Sequence, residues 1–185
     1  MHSLFVDKLM TYDGRQLSSL WAYKNFAVQG DSIIAFRGPC DVKITEMVDQ
    51  EDVQAGAFIY SEEMVHFIIE HFDMDLEKTV TRQRLLMAIM RDILCGVGAP
   101  RQLRRVGDDL YLGERKASVS IATLTPVSSM IHTGVNISSR NTPVPAIGLE
   151  DMAIEPVIFA QKVMAAYCEE MENITKARCK VRGVG

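Results

Sequence analysis

No apolar run in the 185-residue sequence approaches the roughly 20 residues that a membrane-spanning helix needs. The first eight residues lack the basic start of a signal peptide and soon carry charge, so the cytoplasm is the expected location. The four cysteines, Cys40, Cys95, Cys168 and Cys179, form no CxxC pair. That argues against a zinc cluster and for reduced, structural thiols. The net charge of −4 and pI near 5.6 give no bias toward DNA or an anionic membrane. Repeats, low-complexity tracts and linkers are also missing, so residues 1–185 are expected to form a single domain, long enough to bury a sizeable core.

Charge is unevenly placed. Between residues 41 and 77 there are eleven acidic residues against one basic residue, Lys43. Between 78 and 116 there are nine basic and four acidic residues. Two solvated faces that attract each other account for this; the sharper alternative is an anion site in the basic half.

Along the chain, residues 4–10 read as a strand and Asp13-Gly14 as a turn. Leu17, Leu20 and Trp21 predict a helix over 16–26. Residues 32–36 read as a buried strand, followed by a loop carrying Arg37-Gly38-Pro39. There the glycine permits close backbone approach and the guanidinium forks onto a carboxylate or phosphate; the competing reading is a surface arginine paired with Asp41. Residues 42–48 alternate like a strand, and 49–52 read as a polar turn. Ser61-Glu62-Glu63, with Val65, Ile68, Ile69 and Phe72, predicts a capped helix. On it, Glu62, His66 and Glu70 share a face. Together with Cys40 they are a candidate metal or acid/base cluster, set against a surface ion pair.

A second helix is predicted up to Cys95, buried along Leu86, Ile89, Met90, Ile93 and Leu94. Gly96-Val97-Gly98 follows a helix rather than a strand, so it reads as a helix stop, not a dinucleotide loop. Strands follow at 103–106, 110–112, 116–124 and 130–137, with a tight turn at Gly113-Glu114. Small side chains at Ala117, Ser118, Ser120 and Ala122 leave room for a ligand over the sheet. Gly134 within a strand suggests close approach of a backbone or ligand. The last helix is predicted over 156–178 from the stripe Val157, Ala160, Met164, Tyr167, Cys168, Met171 and Ile174. The fold class is α+β, a mixed, largely antiparallel sheet flanked by helices.

Asp109-Leu110-Tyr111 and Arg115-Lys116 stand at the spacing of the lysine-bearing hairpin of biotin protein ligases, and Gly134-Val135-Asn136-Ile137 resembles a downstream strand of those enzymes. Residues 20–23, 35–42 and 66–72 make the whole chain resemble a prokaryotic family described only as a domain of unknown function. That family is grouped with the biotin/lipoate ligase and class II aminoacyl-tRNA synthetase catalytic fold. The resemblance implies a biotin/lipoate ligase-like fold and an adenylate-forming ligase or transferase acting on a carboxylate-bearing small molecule. The alternative is a non-catalytic nucleotide- or metabolite-binding module. Lys116 would hold carboxylate and phosphate, a compact positive charge suited to a developing phosphoanhydride. Arg37 and Gly38 would join it, with Asp109, Arg115, His132, Gly134 and Asn136 in the pocket. ATP with magnesium is the candidate cofactor, and a homodimer the candidate assembly. Neither the Gly-Arg-Gly-Arg loop of biotin ligases nor the Arg-Arg-x-Ser-Gly-Gly-Gly loop of lipoate ligases is present.

Overall fold

The computed structural model describes residues 1–56 and 58–185. Its centre is a five-stranded sheet ordered β1 (His2–Val6), β2 (Ser32–Val42), β3 (Ile59–His71), β8 (Ser129–Asn136) and β7 (Ser118–Leu124). β1 runs parallel to β2; the other pairs are antiparallel. A small sheet is formed by β4 (Leu103–Val106), β5 (Asp109–Leu112) and β6 (Arg115–Lys116). Two long helices, α3 (Leu76–Gly96) and α4 (Pro156–Arg178), cover one face of the large sheet. Two short ones, α1 (Trp21–Phe26) and α2 (Gln50–Ala55), lie in the connections flanking β2.

The sheet alternates as its pleat requires. Ile33, Ala35, Val65, Phe67, Ile69, Ile131 and Val135 face the long helices, meeting Leu86, Met90, Phe159 and Tyr167. Ile34, Phe36, Met64, Ile68 and Met130 face the other way and pack with Tyr12, Trp21 and Cys40. This second face carries the functional geometry.

Both long helices lie where their apolar stripes predict, and α4 keeps its expected bounds. The helix expected from Ser61 is instead the central strand β3. Val65 to Ile69 is rich in β-branched and aromatic residues. A strand buried on both faces reads as a continuous apolar run, which helical spacing also fits. The helix expected over 16–26 shrinks to α1. The amide of Leu20 is taken by Glu70 Oε1 at 2.8 Å, and Leu20 sits in the left-handed region at φ 63°. A tertiary contact has overridden local propensity.

The strand expected to end at Phe36 continues through Arg37-Gly38-Pro39 to Val42. Its register with β3 shifts between Gly38 and Cys40, an irregularity that accommodates a proline lacking an N–H. A Cβ on Gly38 would fall 2.0 Å from the Met10 carbonyl oxygen, so only glycine fits there. Residues 44–46 form a 3-10 turn rather than a strand, and the polar turn after them is α2, capped by Asp49. The strand expected over 116–124 divides at Ala117. There the chain leaves the small sheet and joins β8, with Ala117 donating to the Leu110 carbonyl and accepting from the Asn136 amide.

Candidate functional site

Lys116 occupies that crossing. Its backbone is gripped on both sides: its N–H donates to the Pro145 carbonyl at 2.9 Å, and its carbonyl accepts from the Ile147 N–H at 3.0 Å. The loop that supplies these bonds folds over the second face of the sheet. Beneath it lies a cavity of about 340 Å³. Its walls come from the loop (Thr142, Val144), from the β2–β3 connection (Met47, Asp49, Asp52, Phe58), and from Tyr12, Ser61 and Met64. Lys116, Asp109, His132 and Asn136 complete the lining.

On the hairpin, Tyr111 pairs with Lys116 and Leu112 with Arg115, which puts Asp109 and Lys116 at the cavity wall. Lys116 Nζ lies 2.8 Å from Asp109 Oδ2. Asp109 Oδ1 also accepts from Ser118 Oγ at 3.4 Å, and Ser118 Oγ accepts from the Leu110 amide. Burial raises the Asp109 carboxyl, and together with neighbouring Asp108 it outweighs the opposing pull of Lys116. Burial acts to lower the Lys116 ammonium, but the hydrogen bond and charge of Asp109 leave it raised above the ordinary lysine value. The lysine is therefore charged at neutral pH. An ammonium has three donors, and a single carboxylate contact leaves two for another acceptor.

Asp108 is held from α3 by Gln83 at 3.2 Å and Arg84 at 2.9 Å. Glu46, Asp49, Asp52, Asp108 and Asp109 line the cavity, against Lys116 as the one cation among the lining residues described. The acidic half of the chain thus supplies part of the cavity wall. It also meets the basic half directly, through Lys78 and Arg82 on Asp73.

The remaining expected residues divide. Asn136 lines the wall, its amide donating to the Lys116 carbonyl at 3.3 Å and the Ile147 carbonyl at 3.4 Å. Gly134 does not touch ligand space: a Cβ there would meet Met64 Cε at 2.8 Å. Arg37 is not brought to Lys116. It lies at an odd position of β2, on the face opposite the cavity, and its Nε donates to Glu63 Oε1 at 3.1 Å. Gly38 contributes a carbonyl to His66 and is not a phosphate loop. Arg115 is exposed and does not line the cavity. Of the small residues, Ala117 and Ala122 belong to the helix-side core, while Ser120 accepts from Gln83.

The Glu62, His66 and Glu70 cluster does not assemble. Alternate positions of a strand separate its ends by about 26 Å. Glu62 accepts from Asn141, and Glu70 accepts from the Leu20 amide and Ser128 Oγ. No three metal-capable side chains converge among the described residues.

Sequence reasoning missed Tyr12, Ser61, Met64, Phe58, Glu46, Asp49 and Asp52 as cavity walls. Tyr12 reaches the site through a parallel bridge to Cys40, a long-range pairing with no local signature. Its ring stacks on His132 with centroids 3.4 Å apart and planes 10° off parallel. The acidic run was visible, but its position over the cavity was not.

Comparison with known proteins follows the same lines. The family model for a domain of unknown function, DUF366, matches residues 1–182. An uncharacterised protein of Methanocaldococcus jannaschii is 37% identical over 183 residues, covering 95% of this chain and 82% of that one. A protein of unknown function from Pyrococcus horikoshi superposes with a TM-score of 0.94 at 40% identity, over the full length of both chains. The biotin protein ligase of Aquifex aeolicus, solved with biotin and ATP, gives a TM-score of 0.63 at 15% identity, over 95% of this chain and 72% of that one. A protein of T. acidophilum assigned as a lipoate protein ligase, with bound lipoic acid, gives 0.61 at 10% identity, over 92% and 86%. At these identities the ligases share the fold.

Proposed function

The chain belongs to the DUF366 family on a biotin/lipoate ligase-like fold, and from that premise we propose that it binds a carboxylate-bearing small molecule in the cavity beside Lys116. Lys116 holds the carboxylate, and Asp109 orients its ammonium. The observation that carries this reading is a charged, half-buried lysine with spare donors, the one cation among the described residues that line a cavity of about 340 Å³. That volume lies at the small end of ligand pockets, enough for one compact molecule. A charge-assisted hydrogen bond in such surroundings is roughly twice as strong as a neutral one.

ATP with magnesium fits the lining residues poorly. Five carboxylates would face the triphosphate, Arg37 lies across the sheet, and Asp108 and Asp109 are already committed to Arg84 and Lys116. The binding reading therefore leads. Adenylate formation is the second reading, supported by likeness of fold to a ligase solved with biotin and ATP.

Two measurements separate them. Calorimetric titration with octanoate, lipoate and biotin is expected to show binding of at least one acid without ATP. Pyrophosphate exchange with the same acids, ATP and magnesium is expected to show no turnover above background. Exchange with any of them would replace the binding reading with the ligase reading.

A further inference from the structure

His132 in the cavity wall is hydrogen-bonded to a second buried histidine, His66, and their bonds leave little freedom in where the protons sit. His66 Nε2 lies 3.1 Å from the Gly38 carbonyl oxygen. A carbonyl only accepts, so His66 carries its proton on Nε2. Neutral His66 then has a bare Nδ1, which must accept. The atom 3.1 Å from it is His132 Nε2, which must therefore donate. That leaves His132 with a bare Nδ1.

This nitrogen has no protein partner among the described residues. Nor is it one of the sealed polar atoms lacking a partner, which are Ser32 Oγ and Ser61 Oγ. His132 lines the cavity, so its free lone pair opens onto it. The Tyr12 ring, stacked at 3.4 Å, fixes the imidazole plane. The rings are kept neutral by burial, which pulls His66 down to about 4 and His132 well below its ordinary value; the proximity of His66 adds to the effect on His132.

We propose that His132 is a specificity-determining residue, a fixed hydrogen-bond acceptor, so that the cavity's ligand carries an uncharged N–H or O–H donor at the end remote from its carboxylate. His66 is the positioning residue: anchored on Gly38, it fixes which nitrogen of His132 is bare. The inference rests on the carboxylate reading of Lys116. The backbone of Lys116 stands well away from His132. Asn136, which touches the Lys116 carbonyl, stands four residues from His132 on the same face, about 13 Å along the strand. Tyr12 stacks on the His132 ring, and Ile121 and Ile68 flank it on the neighbouring strands, apolar surroundings that favour an uncharged donor over an ammonium.

Long-range proton–nitrogen NMR on protein labelled with ¹⁵N-histidine reads the tautomers directly and needs no ligand. The expected result is a protonated Nε2 and bare Nδ1 on both His66 and His132, with His132 becoming a tautomer mixture in His66→Phe. A protonated Nδ1 on wild-type His132 overturns the proposal. Calorimetry with octanoate and 8-hydroxyoctanoate tests the ligand class. The hydroxy acid is expected to bind wild type about five- to tenfold tighter, and the preference to vanish in His132→Phe. Equal affinities in wild type overturn the donor assignment and leave the carboxylate reading standing. Binding of neither acid overturns the donor assignment, and with lipoate and biotin also failing to bind it overturns both.

Discussion

Two histidines on one strand, His66 and His71, are both buried, and they face opposite sides of the sheet. His71 has both ring nitrogens bonded, Nδ1 to Asp31 Oδ2 at 2.9 Å and Nε2 to the Tyr167 hydroxyl at 3.0 Å. That chain ties β3 to the segment before β2 and to α4, and it leaves neither ring nitrogen of His71 without a protein partner. His66 starts a chain that ends at a cavity wall, with His132 Nδ1 left unbonded among the described residues. Satisfied buried polar groups secure a fold; a buried polar group open to a cavity offers itself to a ligand. The comparison assigns stability to the first cluster and recognition to the second.

Breaking the first cluster has the larger expected effect. Tyr167 is fully buried among β-sheet and helix side chains. Tyr167→Ala should cost about 3–5 kcal/mol by cavity formation and the loss of the His71 partner, measured by urea unfolding. A loss under 1 kcal/mol would mean that this face does not hold the fold together.

The second cluster shows itself in acid. Burial holds the folded His66 near 4, below its unfolded value of about 6.5. As pH falls from about 6.5 to about 4, the unfolded chain takes up a proton that the native state refuses. Stability is therefore lost across that window, by about 3 kcal/mol from His66 alone. His132 shifts the same way. Asp31 acts lower down. Burial alone would raise it, but bonds from His71 and the Phe72 amide hold it at about 2, so its contribution disappears between about 4 and 2. Unfolding curves at pH 7, 5.5 and 4 check the upper window, and a flat profile there would contradict neutral, buried imidazoles.

How much of this was legible depends on how local each signal is. α3 and α4 were readable because a stripe repeated over five or six turns has no competing explanation. The hairpin at Lys116 was readable from its turn and flanking pattern. β3 was not, because a central strand lacks alternation, and Val65, Ile68, Ile69 and Phe72 suit a helix as well. Lys116, Asp109, His132 and Asn136 were chosen from one hairpin and one strand that the fold places side by side. Arg37 was misplaced by parity: with β2 continuing past Phe36, an odd position had to face away from the cavity. Tyr12 reaches the site only through a pairing between distant segments, and Glu46, Asp49 and Asp52 line it from the β2–β3 connection.

The central claim is that Lys116, not Arg37, anchors a carboxylate. The direct measurement is calorimetric titration of wild type, Lys116→Met and Arg37→Met with whichever of octanoate, lipoate and biotin binds wild type. Lys116→Met is expected to weaken binding about 10- to 100-fold, with unfolding still cooperative, and Arg37→Met to leave affinity unchanged. Equal affinity for wild type and Lys116→Met, or loss confined to Arg37→Met, would contradict the account.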